Sequence, residues 1–121
     1  MIEGVQVVSV PVSDQDRARD FYTHTLGFEL RTENTFAEGT HWIEVAPKGS
    51  TTSLTLMTRW FEDMPPGSLQ GLVFAVDDVH ATYEELLGKG VPFDFGPREM
   101  PGGLQAVFRD PDSNGFVIAA R

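Results

Sequence analysis

Residues 12–28, VSDQDRARDFYTHTLGF, are the most informative part of this chain about its fold. It follows a dense run of β-branched residues from Val5 to Val12, which predicts a strand. Ser13-Asp14 is typical of a helix start, and the apolar residues after it recur at helical spacing, so a helix is predicted from about Asp14 to Thr25. Gly27 suits the cap at the end of that helix.

The same pattern returns later in the chain. Val76-Asp77-Asp78 repeats Val12-Ser13-Asp14 after 64 residues, and a second amphipathic helix is predicted from Val79 to Lys89. Pro65-Pro66-Gly67 interrupts the chain between the two copies. We therefore expect a single domain, 1–121, built from two modules. Their expected bounds are module one at about 1–58, a linker at about 59–68 and module two at about 69–121.

Each module is expected to contain four strands. After the first helix, the strands of module one are expected at Phe28–Glu33, His41–Ala46 and Ser53–Thr58, with a turn at Pro47–Ser50. The strands of module two are expected at Leu69–Val76, Val91–Phe95, Leu104–Arg109 and Phe116–Ala120, with a loop at Pro97–Gly103. Phe93 and Phe95 alternate on a short strand, which predicts that they face the same side.

The composition limits the function. Eighteen acidic against nine basic residues give a net charge of −9, which repels nucleic acid phosphates and anionic lipid surfaces and favours a cationic or neutral ligand. The same charge also suits a surface that only keeps the protein in solution. There is no cysteine, which removes disulfides and thiolate chemistry. No signal peptide or membrane-spanning stretch is recognisable, so we expect a soluble cytoplasmic protein.

An ordered set of motifs resembles the vicinal oxygen chelate superfamily, which includes glyoxalase I, bleomycin resistance proteins, methylmalonyl-CoA epimerase and the extradiol dioxygenases. The motifs are Val12-Ser13-Asp14, Phe21-Tyr22 with Leu26-Gly27-Phe28, Val76-Asp77-Asp78 and the turn Asp110-Pro111-Asp112-x-Asn114. The resemblance implies an α+β fold in which two βαβββ modules form a curled mixed sheet around a cleft. It also implies a homodimer, because a second chain often completes the cavity.

The metal-dependent relatives hold a cation with side chains on the first and last strand of each module. Carried onto this chain, these positions are Val7, Thr55, Gly71 and Val117, none of which offers an imidazole or a carboxylate. The resemblance is therefore closest to the metal-free branch typified by bleomycin resistance proteins. We expect no cofactor, no metal and no catalytic residue.

The expected function is metal-independent binding of an aromatic or cationic small molecule in a dimeric cleft. Two alternatives stay open. One is a metal-dependent lyase, isomerase or epimerase of the glyoxalase I type with displaced metal ligands, and the other is a metal-free enzyme with Glu44 as a general base.

Strand periodicity selects the candidate binding residues. The apolar residues of each strand should pack on the helices, which turns the alternate residues toward the cavity. Trp42 could stack on a ring and Glu44 could meet a cationic group. Trp60, in the linker, could close the pocket or lie in a dimer interface. The full set of expected ligand-binding residues is Ser9, Trp42, Glu44, Ser53, Thr55, Met57, Trp60 and Phe95.

Overall fold

The computed structural model describes residues 1–37, 40–58 and 62–121. The chain divides into two compact units, unit 1 at Met1–Pro66 and unit 2 at Gly67–Arg121. Each unit contains one four-stranded mixed sheet. The expected α+β class is confirmed. No helix in the described part of the chain has the length and apolar character that crossing a bilayer requires.

Unit 1 has the βαβββ order expected from the sequence. Its elements are β1 (Val7–Pro11), α1 (Gln15–Asp20), a π-helical segment (Phe21–Thr25), β2 (Glu29–Ala37), β3 (Thr40–Ala46) and β4 (Ser53–Met57). The strands lie in the order β1-β4-β3-β2. β1 runs parallel to β4, and the other two pairings are antiparallel.

Unit 2 repeats this arrangement. Its elements are β5 (Gln70–Val76), α2 (Val79–Gly88), β6 (Phe93–Met100), β7 (Gly103–Arg109) and β8 (Gly115–Ala120). The strand order is β5-β8-β7-β6, and β5 runs parallel to β8. The internal repeat predicted from residues 12–28 is therefore present in both topology and strand direction.

The two helix starts have the same geometry. Asp14 and Asp78 are the N-caps, with φ of −139° and −138° and ψ of 108° in both. Each carboxylate accepts a hydrogen bond at 3.0 Å from the backbone N–H three residues on, that of Arg17 or Ala81. Such caps satisfy backbone donors that the first helical turn leaves without partners.

The first helix changes its winding part-way along. The chain is helical through the predicted span, but the five residues Phe21–Thr25 are π-helical. The amide of Leu26 accordingly bonds to the carbonyl five residues earlier, that of Phe21, at 3.0 Å. Tyr22 is fully buried and contacts the rings of Phe21 and Phe28. Gly27 follows with a φ of 77°, as expected for a residue that ends a helix.

One side of each sheet forms the core of its unit. In unit 1, Val10, Ile43, Val45, Leu54 and Leu56 are buried on this side, which we call the near face. Helix α1 packs on β3 and β4.

The near face of unit 2 is aromatic. Phe74, Phe108 and Phe116 stack on one another, with ring centroids 5.2–6.4 Å apart. Tyr83 of α2 packs edge-on against Phe93, at 4.8 Å between centroids. The burial of these aromatic rings supplies a large share of the hydrophobic stabilisation of this unit.

The predicted loop at Pro97–Gly103 is wrong. Strand β6 continues through Pro97 to Met100, and only Pro101-Gly102 separates it from β7. Proline is tolerated here because β6 is at the edge of its sheet and its register with β7 shifts between Phe95 and Arg98. At such a shift, the missing N–H of proline costs no regular ladder hydrogen bond.

Candidate functional site

The far face of unit 1 is the side of its sheet opposite the near-face core. Strand registers align three of the expected site residues in one row across this face. Ser9 of β1 is paired with Thr55 of β4, and Thr55 is paired with Glu44 of β3. Paired residues on neighbouring strands point to the same side of a sheet. The structure therefore brings together two hydroxyl groups and a carboxylate.

Trp42 lies beside this row on the same face. Its indole Nε1–H donates a hydrogen bond of 2.7 Å to Oε2 of Glu44, two residues along β3. This contact confirms that Trp42 and Glu44 share a face. A charged acceptor makes the bond strong, so Glu44 holds the indole plane in one orientation. Both side chains are half-buried, which leaves part of the indole accessible.

The three expected site residues of β4 are more enclosed than the alternation predicted. Ser53, Thr55 and Met57 are 6%, 1% and 3% exposed, so both faces of β4 are covered. The Thr55 hydroxyl donates to Met57 Sδ at 3.3 Å. Within the described residues no buried side-chain donor or acceptor lacks a partner. The accessible part of the far face is therefore on β1 and β3, where Ser9, Trp42 and Glu44 lie.

Sequence reasoning missed Arg31. Its guanidinium donates to Ser53 Oγ at 3.4 Å and to the Pro47 carbonyl at 3.2 Å, and it lies 3.6 Å from a carboxylate oxygen of Glu29. The pairing of β2 with β3 shifts register between Leu30 and Thr32, which is why alternation along β2 does not predict the direction of Arg31. The far face of unit 1 thus contains a cation as well as Glu44.

In unit 2, Phe93 and Phe95 do not share a face, contrary to the prediction. Phe93 is paired with Phe108 in the core, whereas Phe95 is paired with Val107 on the opposite side. A register shift between the two phenylalanines reverses the alternation. Phe95 therefore lies on the far face of unit 2, half-buried. The guanidinium carbon of Arg98 is 3.8 Å from the centroid of its ring.

Trp60 lies outside the described residues, as does its neighbour Phe61. Its expected place at the pocket or in a dimer interface stays a prediction.

Comparison with known proteins identifies the family. Residues 4–118 match the model of the Glyoxalase/Bleomycin resistance protein/Dioxygenase superfamily. The chain belongs to this superfamily.

TnmS3, an antibiotic binding protein from Streptomyces sp. CB03234, is 49% identical, with a TM-score of 0.91 over 98% of this chain and 96% of that one. A superfamily member from Sphaerobacter thermophilus DSM 20745 is 33% identical, with the same TM-score of 0.91 over 99% and 98% of the two chains. The uncharacterized protein YetH of Bacillus subtilis (strain 168) is 35% identical over 98% of both chains. These likenesses extend over nearly the whole chain.

The superfamily's metal positions, as carried onto this chain, do not fit a divalent cation. Val7 and Val117 have no donor atom, and the hydroxyl of Thr55 is bonded to Met57. Gly71 has a φ of 86° at a register shift between Gln70 and Leu72, a conformation in which a ligating side chain would be strained. Across residues 1–37, 40–58 and 62–121, no group of three or more His, Asp or Glu side chains is arranged to hold a metal ion.

Proposed function

We propose that this chain is a small-molecule-binding member of the superfamily that holds an aromatic ligand against Trp42 without a metal ion. The observation that carries the proposal is the indole of Trp42, oriented by Glu44 and half-buried beside a row of hydroxyl groups. A fixed aromatic plane with a few polar neighbours is a common form of small-molecule site. The description of the 49% identical TnmS3 as an antibiotic binding protein supports this choice.

The proposed contact residues are those selected by strand alternation, with Arg31 added to them. Ser9 would offer a hydroxyl, and the carboxylate of Glu44 would favour a cationic ring substituent. The complete proposed set is Ser9, Arg31, Trp42, Glu44, Ser53, Thr55, Met57, Trp60 and Phe95. The absence of suitable donors at the four inherited positions supports binding without metal.

We further propose a cytoplasmic homodimer. In the part of the chain that the structure describes, the two sheets end in strands β1 and β2 and in strands β5 and β6. Edge strands carry backbone groups that a second chain can cover. Sedimentation velocity at micromolar concentration tests this proposal, and a single species of about 13.4 kDa would contradict it.

Fluorescence of Trp42 tests the binding proposal. The chain has two tryptophans, so Trp60→Phe leaves Trp42 as the only indole reporter. We expect at least one member of a panel of cationic, neutral and anionic aromatic antibiotics to quench this emission and to raise the melting temperature. Trp42→Ala should abolish the rise in melting temperature, and Trp42→Phe should retain part of it because a ring remains.

The Glu44→Gln variant tests the negative charge of Glu44 separately from its role in orienting the Trp42 indole. The amide oxygen of glutamine can still accept the indole N–H, so this variant should lose affinity for cationic compounds only. No response of Trp42 to any compound in the panel would overturn the binding proposal. Stoichiometric metal in protein purified without chelator would overturn its metal-independent part.

A further inference from the structure

The far face of unit 2 is organised as two parallel rows, each crossing all four strands. Strand registers define both rows, because paired residues point to the same side of the sheet. The apolar row is Val73, Val117, Val107 and Phe95. The second row is Ala75, Ala119, Gln105 and Arg98.

The far face is accessible at several points. Val73 is 57% exposed, and Ala75 and Arg98 are also exposed. The alternate residues Phe74, Phe108 and Phe116 stack on one another in the core, so both rows point away from it. Small side chains at Ala75 and Ala119 leave space beside the valines for a flat group.

Arg98 differs in its contacts from three other arginines of the chain. Arg19, Arg31 and Arg109 each have a carboxylate within 4.0 Å. Among the described residues no carboxylate lies within that distance of Arg98, whose guanidinium instead covers the ring of Phe95. Acidic residues outnumber basic ones by two to one in this chain, 18 against 9, so an arginine without a carboxylate partner is notable.

We propose that the far face of unit 2 binds a planar aromatic acid. The ring lies on the apolar row, and its carboxylate or phenolate oxygen accepts hydrogen bonds from Arg98 and from the neighbouring amide of Gln105. A guanidinium presents a planar fork of donors suited to a carboxylate, and its place over Phe95 shields one side of it from water. This inference rests on the proposed function, because aromatic acids are one part of the class of aromatic ligands named there.

Two naphthalenes of the same shape, one anionic and one neutral, test the inference. We would titrate the full chain, methyl-labelled, with 1-hydroxy-2-naphthoate and with its neutral amide at constant ionic strength. The acid should bind about tenfold more tightly, a ratio typical of one charge-assisted contact. Methyl resonances of Val73, Val107 and Val117 should shift, while those of the near-face residues Val10 and Val45 should not.

Charge-matched variants assign the preference to one side chain. Arg98→Gln should reduce the preference for the acid to less than about threefold, and Arg98→Lys should retain an intermediate preference. Arg17→Gln removes the same charge from an exposed position on α1 and should leave the preference unchanged.

Three results would overturn the inference. The acid and the amide would bind with equal affinity, the Arg98 and Arg17 substitutions would have equal effects, or neither compound would bind because a second chain covers these valines. A different result would contradict the proposed function, namely that no aromatic compound changes the emission of Trp42 or the melting temperature.

Discussion

At the scale of single residues, Asn114 organises the turn between β7 and β8. Its side chain is fully buried, its Nδ2 donates to Asp110 Oδ2 at 2.9 Å, and its Oδ1 accepts from the backbone N–H of Leu69 at 3.0 Å. Oδ1 of Asp110 accepts from the amides of Asp112 and Asn114 at 2.9 Å. The motif Asp110-Pro111-Asp112-x-Asn114 is thus a hydrogen-bonded network that also anchors the segment before β5.

Asn114→Ala should lower the free energy of unfolding by about 2–3 kcal/mol. The substitution removes one hydrogen bond to a buried carboxylate oxygen of Asp110 and one from the Leu69 amide, and the loss of hydrogen bonds by buried groups is costly. Urea denaturation of both proteins measures the difference. Asn34→Ala, at an exposed position on β2, should change the value by less than about 0.5 kcal/mol. Equal effects of the two substitutions would contradict this account of the turn.

Asp94 and Arg109 form an ion pair that makes stability depend on pH. The guanidinium hydrogen-bonds the carboxylate at 2.5 and 3.0 Å and lowers the pKa of Asp94 below its ordinary value of 3.8. The same contact raises the pKa of Arg109, which also bonds to Gln70 of β5 and to the Ser113 carbonyl. The pair therefore links three strands of the unit 2 sheet.

Asp94→Asn should lower the melting temperature at pH 7, and this difference should shrink as the pH falls. A carboxyl whose pKa is depressed by folding stabilises the protein above its unfolded pKa, and that contribution is lost as pH falls through the folded pKa. The gap between wild type and variant should therefore close below about pH 4. A gap that stays constant from pH 7 to pH 3 would rule out the ion pair as its source.

At the scale of elements, the contact between β6 and α2 depends on a residue without a side chain. A Cβ placed on Gly96 would lie 3.1 Å from Cζ and 3.2 Å from the hydroxyl of Tyr83. Tyr83 also packs on Phe93, so its ring cannot move without disturbing the core. Gly96 thus sets the distance at which helix and strand pack.

Gly96→Ala should destabilise the protein by about 1–3 kcal/mol, the usual cost of an overpacked contact. Gly88→Ala provides the matched control on α2, because a Cβ there meets nothing within 4 Å. That control should raise stability by about 0.5 kcal/mol through the lower entropy of the unfolded chain. Denaturant titrations measure both, and a stabilising effect of alanine at position 96 would show that the ring of Tyr83 yields.

At the scale of the whole molecule, the net charge of −9 opposes compaction. Ion pairs such as Arg19 with Glu33, at 2.8 Å, offset part of the repulsion, but their charged groups remain partly exposed and contribute little individually. The excess acidic side chains therefore mostly repel one another across the protein surface.

Added salt should consequently raise the melting temperature. Sodium chloride at 0.5 M shortens the range of repulsion far below the roughly 10 Å that holds at 0.1 M. Differential scanning calorimetry at pH 7 between 0.02 and 0.5 M salt provides the test. A melting temperature that falls over this range would mean that attractive ion pairs outweigh the repulsion.

The repeat, the α+β class and the family resemblance could all be predicted from the amino-acid sequence. These follow from local chemistry: a carboxylate caps the helix that begins next to it, and alternation within a strand separates Leu54 and Leu56 from Thr55. The caps at Asp14 and Asp78 and the turn at Asp110 were therefore visible without coordinates.

The directions of the Arg31 and Phe95 side chains, by contrast, could not be predicted before the strands were paired. Both lie at register shifts, where one strand inserts an extra residue relative to its partner and alternation reverses. A bulge depends on hydrogen bonding between two strands, so neither strand's sequence reveals it alone. The same reason explains why β6 extends through Pro97, since the position of a strand at the sheet edge is a property of the assembled sheet.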